Sequence, residues 1–163
     1  MKLGKFSLRD ASQTHSTNSQ ECAARVMETI PLVMRFIRVD MRAHSAAALS
    51  IPQLRSLAFI NRNPDASLSD LAEHLGVTCA TASVTTERLV QRNFVQRNHH
   101  PQERRRVILN LTQEGKHHLQ QAQDQTRAHI AELLEGLTQE QISQIGEGLA
   151  LLKSVFESTE IKK

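Results

Sequence analysis

Between residues 21 and about 44 the apolar positions Ala23, Val26, Ile30, Val33, Ile37 and Met41 advance by three or four, the spacing of one helix face. The pattern predicts a long amphipathic helix. Pro31 should kink it or divide it into a short and a longer one, because proline supplies no N–H and crowds the preceding turn. Residues 46–49 carry no strong signal and read as a linker. Ser50 can cap a second helix over residues 52–62, with Pro52 placed early, where its missing N–H costs little, and with Leu54, Leu57, Ala58 and Phe59 inward. The run Asn61-Arg62-Asn63-Pro64-Asp65 ends that helix.

Leu68, Leu71, Ala72 and Leu75 then recur at i, i+3, i+4 and i+7, the face of a short helix whose start is marked by Ser67 and Asp70 as a capping box. Gly76 stops it, since glycine takes the left-handed conformation without a Cβ clash; Val77 follows as a buried turn residue and Thr78 as the next N-cap. The helix from residue 79 to about residue 92 turns Ala82, Thr85 or Thr86, and Leu89 inward, and Ala80, Ser83, Val84, Glu87 and Gln91 outward. Two short segments rich in β-formers come next, Phe94-Val95-Gln96-Arg97 and Val107-Ile108-Leu109-Asn110-Leu111, separated by a polar stretch no packed core would accept. They predict a hairpin with a basic tip.

Charge changes the meaning of this region. From residue 77 to 106 there are six arginines (Arg88, Arg92, Arg97, Arg104, Arg105 and Arg106) against Glu87 and Glu103, a local balance of +4 that exceeds the +3 of the whole chain. The outward N-terminal half of the helix starting at Cys79 is small and nearly uncharged, as a helix entering a major groove needs to be if its backbone is to approach base edges. The helix pair alone also fits an ordinary packed hairpin; the arginine-rich loop directly after it turns the reading toward DNA phosphates. Thr78, Cys79, Ala80, Ser83, Val84 and Arg88 are the candidate contacts on the helix, and Arg97, Arg104, Arg105 and Arg106 those on the wing. Without Arg, Asn or Gln at the groove floor, direct readout falls to hydroxyl bonds and apolar contacts with thymine methyls. Arg88 and Glu103 are the expected pair tying wing to helix.

Beyond the hairpin, Thr112 caps a helix whose Leu119, Ala122, Thr126, Ile130, Leu133 and Leu137 form an apolar stripe, broken at Gly136. Thr138 and Gln141 make another capping box, and Ile142, Ile145, Leu149, Leu152 and Phe156 repeat by three and four as a seam. An intramolecular core helix fits these residues too. The first helix also has an apolar face, however, and the winged core cannot cover both, so the terminal helices are expected to interdigitate with those of a second copy.

These residues resemble the MarR family of bacterial transcription regulators over roughly residues 49–115. The family pattern of helix-turn-helix, a wing of the form Asp-x-Arg-Arg or Asp-x-Arg, and Leu-Thr-x-x-Gly is met by Glu103-Arg104-Arg105 and by Leu111-Thr112-Gln113-Glu114-Gly115. Glu103 departs from the usual aspartate, Asn93 stands where glycine is usual, and Val84 where many members carry a polar or basic base-reader. Asparagine tolerates the left-handed conformation the turn needs. The resemblance implies a mainly α fold with a small β wing: a mobile arm (residues 1–20), an N-terminal dimerisation helix (21–48), a winged helix-turn-helix (49–112) and C-terminal dimerisation helices (113–163). It also implies a homodimer on a near-palindromic operator, most often a repressor, and an effector, commonly an aromatic acid or phenol, bound between the dimerisation helices and the winged domain. Arg35, Arg38, Arg42 and His44 are the candidate contacts for an aromatic or anionic effector.

The composition narrows other chemistry. With 39% hydrophobic residues but no Trp, no Tyr and five Phe, the core must be aliphatic. Two cysteines, Cys22 and Cys79, are too few for a disulfide scaffold, no apolar run matches a membrane span, and the N-terminus lacks a signal peptide's apolar region, so a cytoplasmic location is expected. The histidine pairs His99-His100 and His117-His118 lack metal-ligand spacing, and there is no Gly-rich phosphate loop or nucleophile elbow; neither a metal, a cofactor nor catalysis is expected. A peroxide-sensing branch of the family carries a reactive cysteine near the start of its first helix, held by tyrosines. Cys22 occupies such a place in a chain without tyrosine, which leaves a redox sensor, like a winged protein-docking module, as an alternative.

Overall fold

The structure of the protein, a computed structural model, describes residues 18–45, 48–99 and 107–160. In chain order its elements are α1 (Ser19–Ala43), α2 (Ile51–Arg62), β1 (Ala66–Ser67), α3 (Leu68–Leu75), α4 (Cys79–Gln91), β2 (Val95–His99), β3 (Val107–Leu111), α5 (Gln113–Leu134) and α6 (Gln139–Glu160). The chain divides into two compact units, residues 1–36 and 37–163. The expected arm at residues 1–20 lies almost wholly outside the described residues.

In the smaller unit the described part is the N-terminal stretch of α1. Asn18 Oδ1 accepts from the Glu21 N–H at 2.8 Å, capping the helix, and Glu21 pairs with Arg25 one turn on at 2.9 Å. Pro31 does not break the helix in two: α1 runs through it without interruption. The carbonyl orphaned by the missing N–H belongs to Met27, which is largely exposed, so water can take the vacant bond.

The larger unit is built on a three-stranded antiparallel sheet of order β1-β3-β2, with Val95 opposite Leu111 and His99 opposite Val107. The sequence pattern gives no sign of the two-residue strand β1. It forms because Asp65, at φ 63°, turns the chain onto β3, where Asn110 Oδ1 accepts from the Asp65 N–H and Asn110 Nδ2 donates to the Asp65 carboxylate at 2.8 Å. Leu54, Leu57 and Ile60 of α2, Leu71 and Leu75 of α3, Leu89 of α4, Val95, Leu109 and Leu111 of the sheet and Leu119 of α5 form one aliphatic core.

Local chemistry sets the element ends as expected. Ser67 and Asp70 form the reciprocal box, and Gly76 takes φ 70°, its own N–H and that of Val77 closing the last turn of α3. Asn93 adopts φ 58° and closes α4 in the same manner. Thr138 and Gln141 cap α6 reciprocally. Four expectations change. Val77 is 39% exposed instead of buried, because the left-handed Gly76 swings it away from α3. Leu49, read as linker, is fully buried, and Ile60 joins Leu54 and Leu57 inward while Ala58 and Phe59 are half-buried. Phe94 packs in the core just ahead of β2 and is not a strand residue.

The apolar stripes of the last two helices end in the open. On α5, Leu119, Ala122 and Thr126 are buried but Leu133 is 59% exposed; on α6 none of the described side chains is buried. Within one chain this seam is therefore not a core.

Candidate nucleic-acid interface

Helix α4 presents two faces. Ala82, Thr86 and Leu89 are buried, and the Thr86 hydroxyl is satisfied by donating to the Ala82 carbonyl at 2.8 Å, so of the two threonines Thr86 is the inward one. Thr78, Cys79, Ala80, Val84 and Arg88 are exposed and Ser83 half-buried. The Thr78 hydroxyl accepts from the Thr81 N–H at 3.2 Å as the cap, which ties its side chain to the helix start. The exposed surface is short-chained from Thr78 to Val84, with Val84 itself 55% exposed.

Strands β2 and β3 lead away from the end of α4, and residues 100–106 join them. His100, Glu103, Arg104, Arg105 and Arg106 thus lie outside the described residues, and with them the expected Arg88–Glu103 pair. A different link between helix and wing is present: Arg97 Nη1 lies 3.0 Å from Glu87 Oε2, and its Nη2 reaches the Ser83 carbonyl at 3.4 Å. Periodicity gives no sign of it, because the two residues are on elements of different period.

A second junction sits behind α4. His118 stacks on Phe94, with 5.0 Å between ring centres, and its Nε2 lies 3.2 Å from Ser45 Oγ, which also accepts from the Leu49 N–H. The Arg92 guanidinium lies over the Phe94 ring. The end of α4 is thereby joined to α5 and to the segment before α2. His118 does not stand out in the sequence, although it is one turn before Ala122 on the buried stripe.

Burial, and then the charge of Arg92, lower the His118 pKa from its usual 6.5, His117 adding to this and Glu114 opposing it; burial with Arg55 and Arg62 lowers His74 likewise. A histidine depressed in the folded state binds its proton more readily when unfolded, so its contribution is present above pH 6.5 and lost as pH falls toward the folded value. The thermal midpoint is expected to drop between pH 7.5 and pH 5.5, and His118→Asn to flatten that dependence; an unchanged slope in the variant would exclude His118 as its source.

At the end of α1, buried Asp40 receives His129 Nδ1 of α5 at 2.7 Å and pairs with His44 Nδ1 at 3.2 Å. Burial works to raise its carboxyl pKa, but the hydrogen bond from His129 and the nearby histidine charges outweigh it and hold it below 3.8. Of the nominated effector residues, His44 is thus engaged with Asp40, Arg38 and Arg42 stand on the same stretch of α1, and Arg35 belongs to the smaller unit. Both cysteines are exposed; Cys79 Sγ is 3.9 Å from Ser69 Oγ. Among the described residues no group of three or more His, Cys, Asp or Glu could hold a metal ion, and no helix is long and apolar enough to cross a membrane.

Comparison with known proteins gives this geometry a family. The MarR family profile matches residues 49–107. The HTH-type transcriptional repressor MdtR of Bacillus subtilis (strain 168) is 30% identical over 108 residues, 66% of this chain and 70% of that protein. The transcriptional regulator Tm0710 from Thermotoga maritima shares the fold with a TM-score of 0.71 at 22% identity, over 88% of this chain and 99% of its own. Streptococcus pneumoniae FabT, solved in complex with DNA, does so with a TM-score of 0.60 at 23% identity, over 87% and 99%. The chain belongs to the MarR family of winged helix-turn-helix transcription regulators.

Proposed function

We propose that this regulator is a homodimeric repressor, working in the cytoplasm, that lays α4 into the major groove of a near-palindromic operator and sets its wing against the flanking backbone. The observation that carries the reading is the short-chained exposed face of α4, from Thr78 to Val84, beside a hairpin whose connection holds Arg104, Arg105 and Arg106. It is supported by the likeness to the repressor MdtR and to FabT, whose structure contains DNA. Thr78, Cys79, Ala80, Ser83 and Val84 would line the groove, Arg88 would reach phosphate, and Arg105 the minor groove, with Arg104 or Arg106 on the backbone.

Selection on random duplexes tests this. A consensus of two half-sites with recognition helices about 34–36 Å apart is expected. Arg105→Ala is expected to weaken binding to many sequences and to flatten the dependence of log affinity on log salt by about one unit for each phosphate it leaves unneutralised. Binding indifferent to ionic strength would instead favour a protein-docking wing. Control by a small aromatic or anionic effector is supported by the family resemblance and by the cationic Arg38 and Arg42; a thermal-shift series with aromatic carboxylates that moves no midpoint would remove it.

A further inference from the structure

We propose that Glu87 and Arg97 form a positioning strut that sets the angle of α4 against the wing, so that Arg97 serves DNA recognition through the helix and not by touching phosphate. The inference rests on α4 facing DNA. Side chains of a strand alternate between faces, and Arg97 follows Val95 by two and stands opposite Leu109, both buried. Arg97 therefore starts on the sheet face that packs on the helical core, and its long stem must run out across α4 before the guanidinium meets water. It emerges at Glu87 and at the Ser83 carbonyl, two points one helical turn apart on α4.

The pairing also answers why an acidic residue stands on this surface. Glu87 follows Ser83 and Val84 by four and three, at the edge of the short-chained surface from Thr78 to Val84 and next to Arg88, where a bare carboxylate would repel approaching phosphates. Beside Arg97 its charge is matched. A guanidinium committed to a carboxylate and a helix carbonyl at once is correspondingly less able to meet a phosphate, whereas it can resist rotation of α4 about its buried stripe of Ala82, Thr86 and Leu89.

The two roles predict opposite signs for Glu87→Ala. If Arg97 touches phosphate, deleting Glu87 frees it and removes a repulsive charge, and binding to any duplex tightens. If the pair is a strut, Glu87→Ala and Arg97→Ala each weaken binding to the selected duplex by about fivefold, and the double variant does no worse than either single one. The measurement uses the full chain, titrated against the duplex recovered by selection and a random duplex of equal length, from low to moderate salt, with thermal midpoints recorded alongside. Expected are a lower ratio of selected to random affinity, an unchanged salt slope and unchanged midpoints. Tighter binding by Glu87→Ala, or a salt slope lowered by about one unit in Arg97→Ala, overturns the strut. Should the unaltered protein bind neither duplex, the DNA-facing reading of α4 falls and takes the strut's purpose with it, whereas selective binding with additive single effects defeats the strut alone.

Discussion

Gly115→Ala is expected to destabilise the protein by about 3 kcal/mol, near the upper end for overpacking, although alanine is ordinarily the better helix residue. Gly115 stands in the first turn of α5 against the Phe94 backbone. A Cβ there would run into the Phe94 carbonyl oxygen and come within 2.9 Å of its carbon. The Phe94 backbone cannot give way cheaply. The Phe94 carbonyl accepts from the Thr112 N–H at 3.1 Å, the Thr112 hydroxyl donates to the Asn93 carbonyl and caps α5 through the Gly115 N–H, and the Phe94 ring is locked beneath His118. Propensity favours alanine by only about 1 kcal/mol, so the backbone clash decides the sign. Urea unfolding measures it, with Gly136→Ala as the control because nothing lies within 4 Å of a Cβ at that position. Equal midpoints for Gly115→Ala and the parent would show that α5 can slide away from the wing.

Ile145→Asp with Leu149→Asp is expected to yield a folded monomer that no longer binds the selected duplex. The two side chains, one turn apart on α6, are 42% and 55% exposed in the single chain, and Phe156 on the same stripe 59%. An apolar strip of this extent on a helix none of whose described side chains is buried calls for a covering surface, and a second copy of the same seam is the proposed one. Four large aliphatic side chains per dimer would be involved, together on the order of 6–12 kcal/mol of burial before association entropy is subtracted. Since neither residue supports the monomer's own core, circular dichroism should be unaltered while the sedimentation coefficient falls to the monomer value. A dimer that survives both aspartates would mean that the seam lies elsewhere.

Both expectations separate what a chain encodes locally from what only packing decides. The order of the helices and of the two wing strands, the capping boxes at Ser67 and Thr138, the stops at Gly76 and Asn93 and the inward stripes of α3 and α4 are all legible in the sequence. Each depends on the backbone needs of one helix end or on the period of one face, which residues a few positions apart satisfy by themselves. Even the basic character of the hairpin follows from counting charges. The resemblance also carries the Leu-Thr-x-x-Gly motif, although not its reason, which lies in the Phe94 carbonyl.

Contacts between elements are not legible. Strand β1 exists because Asn110 on β3 holds Asp65, 45 residues before it; Asp40 is buried because His129, 89 residues on, pairs with it. Leu49 looks like linker because a single buried residue has no period. Likewise the link between recognition helix and wing is expected from Arg88 and Glu103, whereas the contact present joins Glu87 to Arg97, since a strand's two-residue alternation and a helix's longer turn meet at a point neither period reveals. Sequence by itself determined the helices, the two wing strands, most of their ends and the charge of the surface they carry. Tertiary structure alone decided which polar groups meet across elements, because those meetings depend on the packing of a core that no local pattern contains.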